Sequence, residues 1–229
     1  MPIITIQSPD LRVSCSKNVR LPLMVCSHER SGTHFLMNSL ASVTHYSINP
    51  YLDYDFTTLG SQLNFFAPEK VNKFFSTIAE LKIDDGRQIC VNSILKSHFP
   101  LSFLGSEYDG KCKIIYIYRN PVDVFISYWR VLHRWNWFEG PKVSSPLELM
   151  KSIPCGQSQR YQINNYPTYF DRWANHVKQS YQLSLNSKQI MAVSYNRLNL
   201  DYNNTIENIC DQMGLAIISD IKRLSRNNY

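Results

Sequence analysis

The segment Pro22-Leu23-Met24-Val25-Cys26-Ser27-His28-Glu29-Arg30-Ser31-Gly32-Thr33-His34-Phe35-Leu36 leaves this chain few folds to choose from. Its opening apolar run, bounded by polar residues, has the length and composition of a buried strand. The chain then turns through Arg30-Ser31-Gly32-Thr33, and Leu36, Leu40 and Val43 recur at helical spacing. Strand, tight polar loop and helix start is the arrangement that presents unpaired backbone N–H groups to an anion. Gly32 lets the backbone approach closely, the hydroxyls of Ser31 and Thr33 add donors, and Arg30 adds a positive charge. No G-x-x-x-x-G-K-[ST] spacing occurs, so this is not a Walker A loop. An ordinary strand-to-helix turn with a serine cap satisfies the same local pattern.

A second stretch narrows the choice. Lys113-Ile114-Ile115-Tyr116-Ile117-Tyr118 is rich in β-formers and reads as another buried strand. It runs into Arg119-Asn120-Pro121-Val122-Asp123-Val124-Phe125-Ile126-Ser127. Asn120 suits an N-cap, Pro121 the first helical turn, and Asp123 a reach back to the cap. Capping accounts for those three and leaves Arg119 at a strand end and Ser127 two turns into the helix. Together with the first loop, this resembles the sulfotransferases that use PAPS (3′-phosphoadenosine 5′-phosphosulfate). That family has a K-S-G-T loop for the 5′-phosphosulfate and an R-N-P-x-D-x-x-x-S segment for the 3′-phosphate. Leu95-Lys96-Ser97-His98-Phe99-Pro100 is similar to its K-T-H-x-P segment, which carries the catalytic histidine. Val193-Ser194-Tyr195 is similar to its S-Y-E-D-L element, whose tyrosine lies near the adenine. The four matches keep the family's order along the chain.

The resemblance implies an α/β fold in three layers: a central, mostly parallel sheet with helices on both faces, of the P-loop NTPase-like sulfotransferase type. It also implies PAPS as co-substrate without a metal, and the length of 229 residues suits a single domain over residues 1–229. The sequence holds no H-x-x-x-H and no clustered carboxylates. The expected reaction moves the sulfuryl group to a hydroxyl or amine of a small-molecule acceptor by in-line displacement, with positioning and electrostatics supplying most of the catalysis, as in phosphoryl transfer. By the same resemblance His98 is the general base, a role suited to an imidazole titrating near neutrality. Lys96 and Arg30 carry charge for the leaving phosphate. The family usually has lysine at Arg30's position; arginine keeps the charge but does not readily give up a proton. Ser31, Gly32, Thr33 and His34 hold the 5′-phosphate, Arg119 and Ser127 the 3′-phosphate, and Tyr195 contacts the adenine. The family's R-K-G-x-x-G-D-W-K-type segment has no counterpart from Asp220 to Tyr229. A catalytically impaired or non-enzymatic PAP-binding member is therefore the alternative expectation.

Composition agrees with an anionic ligand: 24 Lys and Arg against 18 Asp and Glu give a net charge of +6. No long Lys/Arg run points to nucleic acid. Cys15, Cys26, Cys90, Cys112, Cys155 and Cys210 show no C-x-x-C spacing, and several sit in apolar runs, as buried thiols of a reducing compartment do. No apolar run of about 18 residues and no charged leader with an apolar core occurs, so the expectation is a soluble, cytoplasmic protein. Along the chain, residues 1–20 alternate weakly and read as an edge hairpin, His45–Gly60 as a loop, and Phe65–Leu81 as a helix. Gln88–Lys96 reads as a single strand delivering Lys96 and His98 to the carboxyl edge of the sheet, where ligands bind. Tyr166, Tyr169, Phe170, Trp173, Val177 and Tyr181 recur as the apolar stripe of a long helix, with Trp173 and His176 as core or helix-surface residues. The cluster Trp135-Asn136-Trp137-Phe138 reads as a packed corner or, alternatively, as an acceptor-pocket wall or lid, and Lys188–Tyr195 and Thr205–Met213 as the last strand and helix.

Overall fold

The computed structural model describes residues 4–8, 11–16, 18–53, 90–104, 112–136, 138–161 and 164–225. Its centre is a five-stranded, wholly parallel sheet in the order β4-β6-β3-β7-β8. The strands are β3 (Leu23–Cys26), β4 (Ser47–Asp53), β6 (Ser93–Ser97), β7 (Lys113–Tyr118) and β8 (Ile190–Ser194). β3 and β6 are buried at every position, as expected of strands covered on both faces. β1 (Ile4–Ser8) and β2 (Leu11–Ser16) form the expected hairpin, which pairs with β5 (Cys90–Val91) as a separate antiparallel sheet.

Alternation along the strands sends side chains to two layers. Leu23, Val25, Ile94, Ile115 and Ile117 face one side, against Leu36, Leu40 and Val43 of α1 (Thr33–Val43) and Ile206 and Ile209 of α7 (Tyr202–Gln212). Tyr116 faces the other side, where its ring stacks on His176 of α5 (Tyr169–Leu185). That layer continues through Phe125, Tyr128 and Leu132 of α3 (Pro121–Arg134) and Leu149 of α4 (Pro146–Lys151). Among the described residues there are two further short α-helices, α2 (Leu101–Leu104) and α6 (Tyr195–Leu200).

Three expectations change. Ser47–Asp53 is an edge strand and not a loop; its ladder with β6 is irregular between Ser47 and Leu52, around Pro50, which erases the alternation a reader would look for. Gln88–Lys96 is not one strand: Asn92 breaks it, its carbonyl taking the Ser47 N–H at 2.7 Å, and the two halves join different sheets. The long helix starts at Tyr169, where Thr168 caps it by accepting from the Asp171 N–H. Its buried face is Tyr169, Arg172, His176 and Ser180, while Phe170 and Tyr181 of the expected apolar stripe are exposed. Polar partners on the sheet side reverse the amphipathic rule. Trp173 and Phe138 pack at the margin of the α3–α5 cluster, and Trp135 is exposed. The expected helix over Phe65–Leu81 lies outside the described residues, as do Trp137 and residues 54–60 of the expected loop.

Candidate active site

The carboxyl ends of β3, β6 and β7 lie side by side, and the three main sequence segments leave the sheet there. From β3 the chain turns through a loop in which Arg30 (φ 66°) and Gly32 (φ 98°) both take left-handed backbone. Gly32 starts α1 without a side-chain cap, and the first turn has no acidic residue. The first N–H groups of α1 thus keep the capacity to bind an anion. A Cβ on Gly32 would lie 2.3 Å from Cδ2 of Tyr195, so the loop has room only for glycine. Ser31 is fully buried and its hydroxyl has no partner among the described residues, an orphan that a phosphate oxygen would satisfy. The Thr33 hydroxyl lies 2.6 Å from that of Ser27, and His34 is exposed.

From β7, Asn120 caps α3 by accepting the Val122 N–H at 2.9 Å, with Pro121 in the first turn. Asp123 turns instead toward Arg119, 3.8 Å from its Nε, beyond hydrogen-bond distance. That Nε is buried and without a hydrogen-bond partner among the described residues. The guanidinium lies 4.5 Å from the centre of the Tyr195 ring, a cation–π contact. Arg30 reaches across to this cluster, its Nε donating to the Ser127 hydroxyl at 3.1 Å. Arg30 is solvent-exposed overall; the surrounding protein and then the like charge of Arg119 press its pKa down. Two guanidinium groups and a serine hydroxyl, with Asp123 as a loosely paired carboxylate 3.8 Å from Arg119, offer the donors that an anion with several oxygens requires.

From β6, Lys96 is buried near the strand end and His98 follows the turn. The His98 Nδ1 lies 3.0 Å from the Ser27 carbonyl, which can only accept, so Nδ1 carries the hydrogen and Nε2 the lone pair. Burial, and then the Lys96 charge, hold the His98 pKa well below the usual 6.5. The ring is therefore neutral at neutral pH. Its edge packs on Tyr161, centroids 5.5 Å apart.

Beneath these loops lies a network that reading the sequence missed. Arg172 donates through Nη2 to both Glu29 oxygens, each at 2.9 Å, and through Nη1 to His28 Nε2 at 3.0 Å. His28 donates from Nδ1 to the Glu29 carbonyl at 3.0 Å. With Nε2 accepting from Arg172 it is neutral, and burial and Arg172 lower its pKa accordingly. Its 3.6 Å approach to the Glu29 carboxylate is thus not an ion pair. His176 accepts from the Tyr116 hydroxyl at Nδ1 (2.8 Å) and donates from Nε2 to the His98 carbonyl (3.1 Å). A signal did exist: Arg172 and His176 interrupt the helical stripe one turn apart.

Residues 21–229 match the family model for the sulfotransferase domain. The cytosolic sulfotransferase 17 of Arabidopsis thaliana is 26% identical over 213 residues, covering 86% of this chain and 52% of that protein. The chain thus spans about half the length of that relative. A mouse sulfotransferase complexed with PAP superposes with a TM-score of 0.53 at 20% identity, covering 89% of this chain and 61% of that one. A retinol dehydratase in complex with retinol and PAP gives 0.53 at 17% identity, covering 88% and 62%. Among the described residues no helix is long and apolar enough to cross a membrane. The loop, the strand order and the family match agree, and the chain belongs to the sulfotransferase family.

Proposed function

We propose that this chain transfers the sulfuryl group of PAPS to a hydroxyl or amine of a small-molecule acceptor. The observation that carries the reading is the hydrogen bond from His98 Nδ1 to the Ser27 carbonyl. It fixes a neutral imidazole to the rim of the anion loop with its basic nitrogen as the reactive one. In this reading the uncapped turn of α1 and the orphan Ser31 hydroxyl take the 5′-phosphate, together with Gly32, Thr33 and His34. Arg119, Ser127 and Arg30 take the 3′-phosphate, with Tyr195 as the platform under Arg119 and the adenine beside it. Arg30 thereby moves from the leaving group, where the resemblance put it, to the nucleotide's far end. Lys96 is then the cation for the departing phosphate. His98 Nε2 takes the proton of the acceptor hydroxyl as its oxygen bonds to sulfur and the bond from sulfur to the phosphate oxygen breaks. The acceptor class is the one that retinol represents in one structural neighbour. The free thiols of Cys26, Cys112, Cys155 and Cys210 support a reducing, cytoplasmic location.

Calorimetric titration with PAP, with ADP as the control lacking a 3′-phosphate, tests the nucleotide site. Preference for PAP, followed by sulfuryl transfer in an acceptor screen with PAPS, is the expected result. Equal binding of the two nucleotides refutes the 3′-phosphate assignment, and PAP binding without transfer to any acceptor refutes the enzymatic reading.

A further inference from the structure

We propose that the buried polar face of α5 positions the site, holding the anion loop with Arg172 and the catalytic histidine with His176. The proposal rests on the reading of the site given above. Arg172 and His176 stand at i and i+4, on one face of the helix. From that one face Arg172 reaches the segment that follows β3, and His176 reaches the segment that follows the neighbouring strand β6.

The chemistry of the two grips differs. Arg172 forks onto both oxygens of Glu29 and onto His28, the residues immediately before Arg30. The backbone that carries Arg30 and Gly32 through left-handed conformations is thus anchored from below. A buried ion pair is a weak source of stability compared with apolar packing, but its geometry is directional. Directionality is what an anion loop with strained backbone requires. His176 acts on His98 by a relay of defined hydrogen positions. Tyr116 gives its hydroxyl hydrogen to Nδ1, which leaves Nε2–H to give to the His98 carbonyl. The backbone of His98 is held from α5, and its ring is held from Ser27. Both anchors of the base run through neutral groups, and the Ser27 hydroxyl adds a second contact to His98 Nδ1 at 3.3 Å.

The two grips predict separable defects in the full chain, read by PAP calorimetry and by the ring-nitrogen NMR signals of His98, assigned through their loss in His98→Gln. In Tyr116→Phe and His176→Leu, PAP affinity stays within about twofold of wild type while the His98 Nδ1–H signal shifts or broadens by exchange. His176→Gln, which keeps a donor for the His98 carbonyl, restores the signal. In the charge-balanced double variant Glu29→Gln/Arg172→Gln, PAP affinity falls at least about tenfold at a melting temperature near wild type. Should that variant not fold, Arg172→Lys keeps the charge and loses the fork, with the same expected loss of affinity. Wild-type behaviour in all variants would overturn the proposal. So would parallel loss of affinity, His98 signal and melting temperature in every variant, the signature of a merely structural face. A wild type that does not prefer PAP to ADP refutes the nucleotide reading instead, and the His98 signals in the Tyr116 and His176 variants still decide the clamp.

Discussion

Acid should unfold this protein through its buried histidines, and His176 gives the magnitude. Burial, followed by the neighbouring His28 and Arg172 side chains, lowers its pKa from 6.5 to about 3. Between those values the unfolded chain binds a proton at this residue that the native chain does not. Stability therefore rises with pH across that window, is fully present above 6.5, and is lost progressively as the pH falls toward the folded value. Linkage sets the slope at ~1.4 kcal/mol per pH unit once the unfolded histidine is mostly protonated, so moving from about pH 7 to about pH 5 costs about 2 kcal/mol at this one position. His28 and His98 shift in the same direction and add to the effect. Urea unfolding at both pH values, for wild type and for His176→Gln, isolates the contribution. The variant has no imidazole at this position, so its stability should fall by about 2 kcal/mol less than that of wild type over the same interval. Whatever the substitution costs at neutral pH cancels in that difference. Identical pH dependence of the two proteins would refute the neutral, clamped state of His176.

Other expectations concern the site itself. Arg119→Ala should weaken PAP binding by roughly 2 kcal/mol, about thirtyfold, with ADP binding unchanged in parallel calorimetric titrations. His98→Ala should leave PAP affinity near wild type and abolish transfer, and the acid limb of the wild-type kcat/KM profile should lie below pH 6.5, since the base is held neutral. Gly32→Ala should cost about 2 kcal/mol or more, from a strained positive φ and the collision with Tyr195. Adding Tyr195→Ala in urea titrations should recover the steric share alone. In the α1 core, Leu40→Ala should cost about 3 kcal/mol with nucleotide binding retained in the folded fraction.

What was legible in the sequence followed a simple physical rule. Features written in consecutive residues, such as the apolar run of β3, the Asn120-Pro121 helix start and the β-formers of β7, needed no tertiary information. The convergence of three segments on one sheet edge followed from the parallel arrangement those elements imply. The failures lie where a distant partner overrides local pattern. Apolar periodicity put Phe170 and Tyr181 inward on α5, yet Arg172 and His176 are buried because Glu29, Tyr116 and the His98 carbonyl supply their partners from across the fold. Asn92 ends one strand segment because two sheets compete for its neighbours. The contact of Arg30 with Ser127, 97 positions along the chain, is likewise one that no local pattern announces.

The irregular ladder of β4 has a consequence for how this molecule meets others of its kind. An open parallel sheet exposes a row of amide and carbonyl groups at its border, which a strand from another chain can use to extend the sheet. At this border Pro50 offers no amide, and the pairing register slips between Ser47 and Leu52. A visiting strand would find its ladder interrupted in mid-course. The proline and register slip that hid β4 from sequence reading thus also make it a poorer template for strand addition than a regular strand would be.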